Sequence, residues 1–236
     1  MPESPDQAFA RLAIELSQHE TVDQTAAQIV AFAMETVGTQ YAGVTMIRRR
    51  GAFETVGPSD PLIDRADRLQ YDLGEGPCID AATTSRMVMS ADLSTDERWP
   101  AWGPQAVSLG FRSILSAELH AGGRRIGSIN LYGSDVRQFS AQDADNAQLF
   151  ASHAAAALAA VSLREELQNA LDTRTVIGQA QGVLMERFTI DADRAFAILR
   201  RYSQDGNLKL NDVARNLITT SQLPSLDAVA LTDEPA

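Results

Sequence analysis

Lysine and cysteine are almost absent from this chain: one lysine, Lys209, and one cysteine, Cys78, stand among 236 residues. A lone cysteine excludes any disulfide within the chain. The three histidines, His19, His120 and His153, are scattered and share no ligand spacing with Cys78, so no zinc motif is present and no metal is expected. No run approaches the roughly 18 apolar residues that span a bilayer, and the alanine-rich segment 154–161 is too short. The opening MPESPDQAFA has neither the basic nor the apolar region of a secretory signal. These absences predict a cytoplasmic chain that enters no membrane. Catalytic patterns are missing as well. No Ser-His-Asp order or paired-carboxylate motif stands out, and G-E-G at 74–76 is too short for a phosphate loop. Without even the outline of a nucleophile, base and orienter, the chain does not read as an enzyme and no catalytic residue is assigned.

What is present is acid. The net charge of −11 argues against a protein that coats nucleic acid, and DNA is not an expected partner. The charge is uneven, however. Residues 1–160 carry 12 arginines against 20 acids, whereas 161–223 carry seven arginines and Lys209 against eight acids and so sum to zero. The tail 224–236 adds three acids and no base. Any nucleic-acid contact therefore belongs to the neutral segment, and must rest on a local arginine face and on shape.

Taken in order, 5–18 and 22–37 read as helices, the second with the stripe Val22, Ala26, Ile29, Val30, Ala33 and Val37, a Thr21 cap and a Gly38 stop. Strands are predicted at 42–49 and 52–57, then a short helix at 60–69, a Gly-Pro loop over 71–78, a helix over 78–85 and a strand from Met87 to Ala91. A helix at 99–109 follows, with Pro100 near its start. The segments 112–120 and 125–132 flank Gly122-Gly123, a strong hairpin signal. This order gives an α+β sandwich on an antiparallel sheet. From a Ser140/Asp143 cap a helix runs to about 172, since neither Pro nor Gly interrupts it. Leu149, His153, Ala156, Ala160, Leu163, Leu167 and Leu171 step along it close to a coiled-coil seam, which would join two chains.

The most specific signal lies between Arg174 and Arg200. Ile177, Ala180, Leu184 and Phe188 share one helical face, and Gly178 and Gly182 lie four apart on the next. Each glycine inside a helix costs roughly 1 kcal/mol relative to alanine. Two of them imply a close approach to that backbone, by another helix or by a ligand, and both readings stand. Arg174, Ile177, Ala180, Gly182, Leu184 and Met185, then Ala195, Phe196, Leu199 and Arg200, then Val213 and Ala214, resemble the ANTAR domain, a three-helix RNA-binding module of bacterial antiterminators. Gln181 stands where that family often carries Lys. The resemblance implies binding of RNA hairpin loops, with Arg174, Gly178, Gln181, Gly182, Arg200, Arg201, Gln204, Lys209 and Arg215 as candidate contacts. Arginine suits this role because its planar fork meets phosphate and stacks on bases. Lys209 sits at the start of the last predicted helix, where a cation opposes the dipole unless a phosphate meets it. The plain alternative is a solvated face with helix pairs such as Arg187 with Asp191.

G-E-G-P-C at 74–78, the strand at 112–120 and G-S-I-N-L-Y at 127–132 resemble a GAF domain, a small-molecule sensor fold. That likeness implies a pocket between the sheet and segment 60–109, with Leu73, Cys78, Trp99 and Trp102 lining or lidding it for an unidentified small ligand. No cofactor is identified. Cys78 opens a helix, which favours a thiolate, yet Glu75 and Asp80 oppose one, and a buried small apolar residue is the favoured reading. The expected organisation is a GAF-like sensor over 1–139, a connecting helix over 140–162, an ANTAR-like bundle over 163–223 and a frayed tail over 224–236. The expected function is a regulator of transcription antitermination, gated at the sensor, dimeric through 140–172 and the GAF-like domain. The alternative is an interaction module whose C-terminal helices bind a protein or a second copy, with no RNA activity.

Overall fold

A computed structural model describes residues 19–84 and 87–223. The helix predicted over 5–18 and the tail 224–236 lie outside the described residues. The chain divides into two compact units, one up to Glu165 and one from Glu166.

The first unit is built on five antiparallel strands in the order β2-β1-β5-β4-β3. These are β1 (Tyr41–Ile47), β2 (Phe53–Val56), β3 (Met87–Ser90), β4 (Ser113–Ala121) and β5 (Arg124–Gly133). The hairpin expected at Gly122-Gly123 joins β4 to β5, and both glycines take positive φ. Alternation along the strands sorts the side chains between two faces. Ala42, Val44 and Met46 of β1, Leu115, Ala117 and Leu119 of β4, and Ile129 and Leu131 of β5 join the core that contains α1 (Val22–Val37) and the first half of α5 (Ala141–Phe188). The bounds of α1 are those predicted: Thr21 accepts from the Gln24 N–H, and Gly38 closes the helix in the left-handed region at φ 73°. Glu165 of α5 accepts from the Val22 N–H at 2.8 Å, tying the start of α1 to the end of this unit.

The opposite face is covered by α2 (Pro61–Leu73), α3 (Pro77–Thr83) and α4 (Trp102–Ser108), around a core that includes Ile63, Trp99, Trp102, Phe111, Ile114 and Tyr132. Helix α2 runs a turn further than the predicted 60–69, because nothing in Gln70, Tyr71, Asp72 or Leu73 breaks it before Gly74. Leu73 thus ends a helix instead of sitting in a loop. Helix α4 starts at Trp102, three residues later than expected, and Glu75 accepts from the N–H groups of Ala101 and Trp102 at its head.

The second unit contains the later part of α5, α6 (Ala192–Asp205) and α7 (Leu210–Thr220). Its core is Ala180, Leu184, Ala195, Leu199, Val213, Ala214 and Leu217; Ala180 and Leu184 share the face read from spacing, and Ala195, Leu199, Val213 and Ala214 are among the residues that carry the ANTAR resemblance. Asp191 caps α6 by accepting from the Arg194 N–H at 2.8 Å. The segments read as a connecting helix and a separate first helix of the bundle form one 48-residue helix, α5. The glycines at 178 and 182 do not interrupt it, since glycine permits helical angles even while it disfavours them.

Candidate functional site

Beneath α2 and α3 the sheet presents polar side chains. In G-S-I-N-L-Y, the alternation that sends Ile129 and Leu131 to one core sends Ser128, Asn130 and Tyr132 to the other face. All three are buried, as are Thr45, Asp67, Gln70 and Cys78. They form one hydrogen-bonded chain. Tyr132 donates to Asp67 Oδ1 at 2.5 Å, and the Cys78 thiol donates to the same oxygen at 3.3 Å. Gln70 Nε2 reaches Cys78 Sγ at 2.7 Å and Tyr132 Oη at 2.9 Å, while Gln70 Oε1 accepts from the Cys78 N–H at 2.9 Å. Thr55 donates to Asp67 Oδ2 at 3.0 Å and meets Tyr71 Oη at 2.8 Å, which meets Thr45 Oγ1 at 2.9 Å. Asn130 Nδ2 donates to Thr45 at 2.9 Å, and Ser128 donates to the Cys78 carbonyl at 3.1 Å. Across the ladder from Asn130, the buried Ser116 hydroxyl has no hydrogen-bond partner among the described residues.

Gly76 makes this arrangement possible. Its φ of 143° suits glycine alone, and a Cβ there would fall 2.1 Å from Gln70 Oε1. Burial sets the titration of the chain. It pushes the Asp67 carboxyl up from 3.8 to about 6, against the lowering effect of its Tyr132, Cys78 and Thr55 hydrogen bonds. Burial also pushes the Cys78 thiol up, and the Asp67 carboxylate adds to the rise. Cys78 is therefore held as a thiol, in line with its reading as an inert buried side chain. The Tyr71 and Tyr132 phenols are raised for the same reasons.

Of the residues expected to line a ligand pocket, Cys78 and Trp102 are fully buried, Trp99 nearly so, and Leu73 is exposed at the end of α2. Trp99 Nε1 donates to Asp80 and Trp102 Nε1 to the Ala66 carbonyl, and the two rings meet edge to face at 6.0 Å. Both rings belong to the apolar core under α2, α3 and α4. Asp67, Gln70, Tyr71, Thr45 and Asn130 were not singled out from the sequence. The one available signal was the polar alternation of Ser128, Asn130 and Tyr132 inside a strand otherwise buried, and it marks the sheet's side of the chain but not Asp67 or Gln70.

In the second unit, Gly178 and Gly182 are exposed, and a Cβ built on either meets nothing within 4 Å. Gln181, between them, donates to the Ala192 carbonyl at 3.0 Å, which brings the glycine face beside the start of α6. Phe196 and Arg200 follow Ala192 at steps of four along α6, on one stripe of that helix. Arg174 and Arg200 are exposed and have no ion pair among the described residues. Arg201 pairs with Asp205 at 3.3 Å on the surface. Gln204, Arg215 and Lys209 are exposed, and Lys209 stands at the N-cap of α7, where no side chain caps the helix. The expected Arg187–Asp191 pair does not form. Arg187 donates to the Ser221 carbonyl at 2.6 Å and Asp191 faces Arg194 at 3.8 Å, because Asp191 has left the helix to cap α6.

Residues 19–159 match the GAF domain family and residues 165–218 the ANTAR domain family. The chain belongs to the GAF family and carries an ANTAR domain. No curated protein matches it. Among solved structures, the free methionine-R-sulfoxide reductase of Neisseria meningitidis is 17% identical, with a TM-score of 0.55 over 69% of this chain and 95% of that one. The GAF domain of an Acinetobacter phosphoenolpyruvate-protein phosphotransferase is 11% identical, with a TM-score of 0.55 over 70% and 99%. A phycoerythrobilin-bound GAF domain of a cyanobacterial phytochrome is 14% identical, with a TM-score of 0.51 over 70% and 100%. At such identities these likenesses establish the fold of the first unit. An ANTAR domain implies an RNA-binding regulator of antitermination, and a GAF domain implies a sensory one. Both are regulatory domains. Among the described residues of this GAF–ANTAR protein, no helix is long and apolar enough to cross a membrane.

Proposed function

We propose that this GAF–ANTAR protein binds RNA hairpins in transcripts through its second unit, prevents a terminator from forming, and is gated by a signal received at its first. The observation that carries the reading is the bare backbone at Gly178 and Gly182, in a unit whose Arg174 and Arg200 are exposed and have no ion pair among the described residues. A helix that gives up stability to glycine twice, without burying either one, has exposed its backbone to something outside itself. Arg174 and Arg200 supply phosphate contacts and stacking surfaces, Gln181 and Gln204 supply hydrogen bonds to unpaired bases, and Arg201, Lys209 and Arg215 add peripheral charge. Leu73, Cys78, Trp99 and Trp102 border the region in which the first unit would admit its signal. The protein works in the cytoplasm, carries no catalytic activity of its own and engages no DNA.

The protein acts as a homodimer. Leu149, Leu163, Leu167 and Leu171, spaced along α5 as a seam, are each more than half exposed, while the opposite stripe from Ala147 to Val161 is buried in the sheet core. A second α5 would cover them.

Fluorescence anisotropy with an RNA hairpin tests the central reading. The wild type is expected to bind with an affinity that falls steeply with salt, and Arg174→Ala to weaken binding by about tenfold. A second reading, in which the C-terminal helices bind a protein, is favoured by the exposed Met185, Phe188, Phe196 and Ile218. It predicts no RNA binding in any ligand state and a partner affinity nearly indifferent to salt.

A further inference from the structure

One of the open concavities of the GAF unit lies at the turn end of β4 and β5. It is a cleft of about 680 Å³ at the β4–β5 turn, walled by Glu118 and His120 of β4, Arg124 and Arg125 of β5, and Gln148 and Ser152 of α5. Metabolite sites commonly span roughly 300–1,000 Å³, so this one has room for a small molecule.

Its construction is specific. The β4–β5 register slips between Leu119 and His120, and the bulge sets His120 against Arg125. Bulges re-aim side chains in this way. Arg125 is immobilised: its Nε donates to Glu118 at 2.7 Å and its Nη1 donates to the Thr83 carbonyl. Glu118, 6% exposed, is thereby consumed by Arg125. That leaves Arg124, exposed and without an ion pair among the described residues, as the uncompensated charge of the cleft. Gln148 and Ser152 lie one turn apart on α5, the serine hydroxyl donating to the Gln148 carbonyl at 3.1 Å until another acceptor arrives. A basic concavity in a segment that carries 12 arginines against 20 acids concentrates anions where the rest of the surface repels them.

We propose that this cleft is an anion site for a small phosphate-bearing ligand, with Arg124 as its principal contact and His120, Gln148 and Ser152 as further donors. A guanidinium fork, an imidazole, an amide and a hydroxyl converging from three elements match the several oxygens of a phosphate group. Arg125, fixed by Glu118, forms the rigid rim. The inference deepens the sensory half of the function proposed above and rests on it for its biological role. It also gives the signal an entry other than the interior beneath α2 and α3, walled in part by the helix that bears Gly178 and Gly182.

Calorimetric titration of the full chain with inorganic phosphate and pyrophosphate, ionic strength held constant with sodium chloride, tests the site directly. One saturable site is expected, weakened about tenfold by Arg124→Gln, since a charge-assisted contact is lost, and unchanged by Arg68→Gln, whose side chain forms only an exposed helix pair with Asp64. Both positions are on the surface, so circular dichroism of the two variants should match that of the wild type. The proposal is overturned if neither probe saturates, if Arg124→Gln binds as the wild type does, or if Arg68→Gln loses as much. RNA hairpin binding, measured separately, stands or falls without reference to this titration.

Discussion

Asp67 is the residue through which pH acts most directly on the first unit. Its carboxyl is fully buried and faces only acids or neutral donors: Asp64 and Tyr71 on its own helix, Cys78 from α3, Thr55 from β2 and Tyr132 from β5. With its folded value pushed up to about 6, the native state keeps a proton that the unfolded chain has already released above 3.8. Stability contributed by that proton is fully present below about pH 4 and is lost as pH rises through about 6. The loss is of order 3 kcal/mol, taking about 1.4 kcal/mol for each pKa unit. Denaturant titrations between pH 4.5 and 8 should show the wild type weakening over the acidic half of that range. Asp67→Asn should flatten this part of the profile, and an unchanged slope would mean that another group carries it. The sequence offered no reason to choose Asp67 among Asp60, Asp64 and Asp72. Only the placement of α2 over the sheet made one of the four inaccessible.

At the scale of the element, α5 carries opposite demands. Its first half buries Phe150, Ala154 and Leu158, and its later half exposes two glycines. Because a Cβ at Gly178 or Gly182 would meet open space, Gly178→Ala and Gly182→Ala should each raise stability by about 1 kcal/mol, the helix propensity gained. On the RNA contact proposed above, each should also weaken RNA binding, because the added methyl would cover the bare backbone. Thermal denaturation and anisotropy on the same samples check this opposition. Stabilised variants that bind RNA as the wild type does would assign the glycines no functional role. The amphipathic spacing of Ile177, Ala180 and Leu184 was legible because a 3.6-residue period survives in any helical context. The continuity of α5 was not, since two glycines in one turn also describe a helix end.

On the scale of the whole molecule, the exposed seam of α5 predicts association. The double variant Leu163→Glu, Leu167→Glu places charges at positions 58% and 59% exposed in the single chain, so the fold should survive. It should sediment as a monomer where the wild type sediments as a dimer, and a wild-type monomer at micromolar concentration would remove the seam from the account. The acidic surface bears on RNA binding at the same scale. With a net charge of −11, non-specific attraction is weak, so binding should be confined to particular hairpins.

Spacing along the chain determined which faces of which segments are apolar, where α1 starts and stops, and the hairpin at Gly122-Gly123, while motif resemblance supplied the GAF and ANTAR domains. All of these are local or periodic properties that a linear code can carry. Tertiary structure alone decided that Asp67, Gln70, Cys78 and Tyr132 meet, that Trp99 and Trp102 pack edge to face in the core, that Arg124 is left without an ion pair among the described residues while Arg125 is paired, and that Gly178 and Gly182 face open space. Each of those outcomes depends on groups far apart in sequence competing for the same volume or the same proton. Periodicity says which side of an element is buried; packing says what it is buried against.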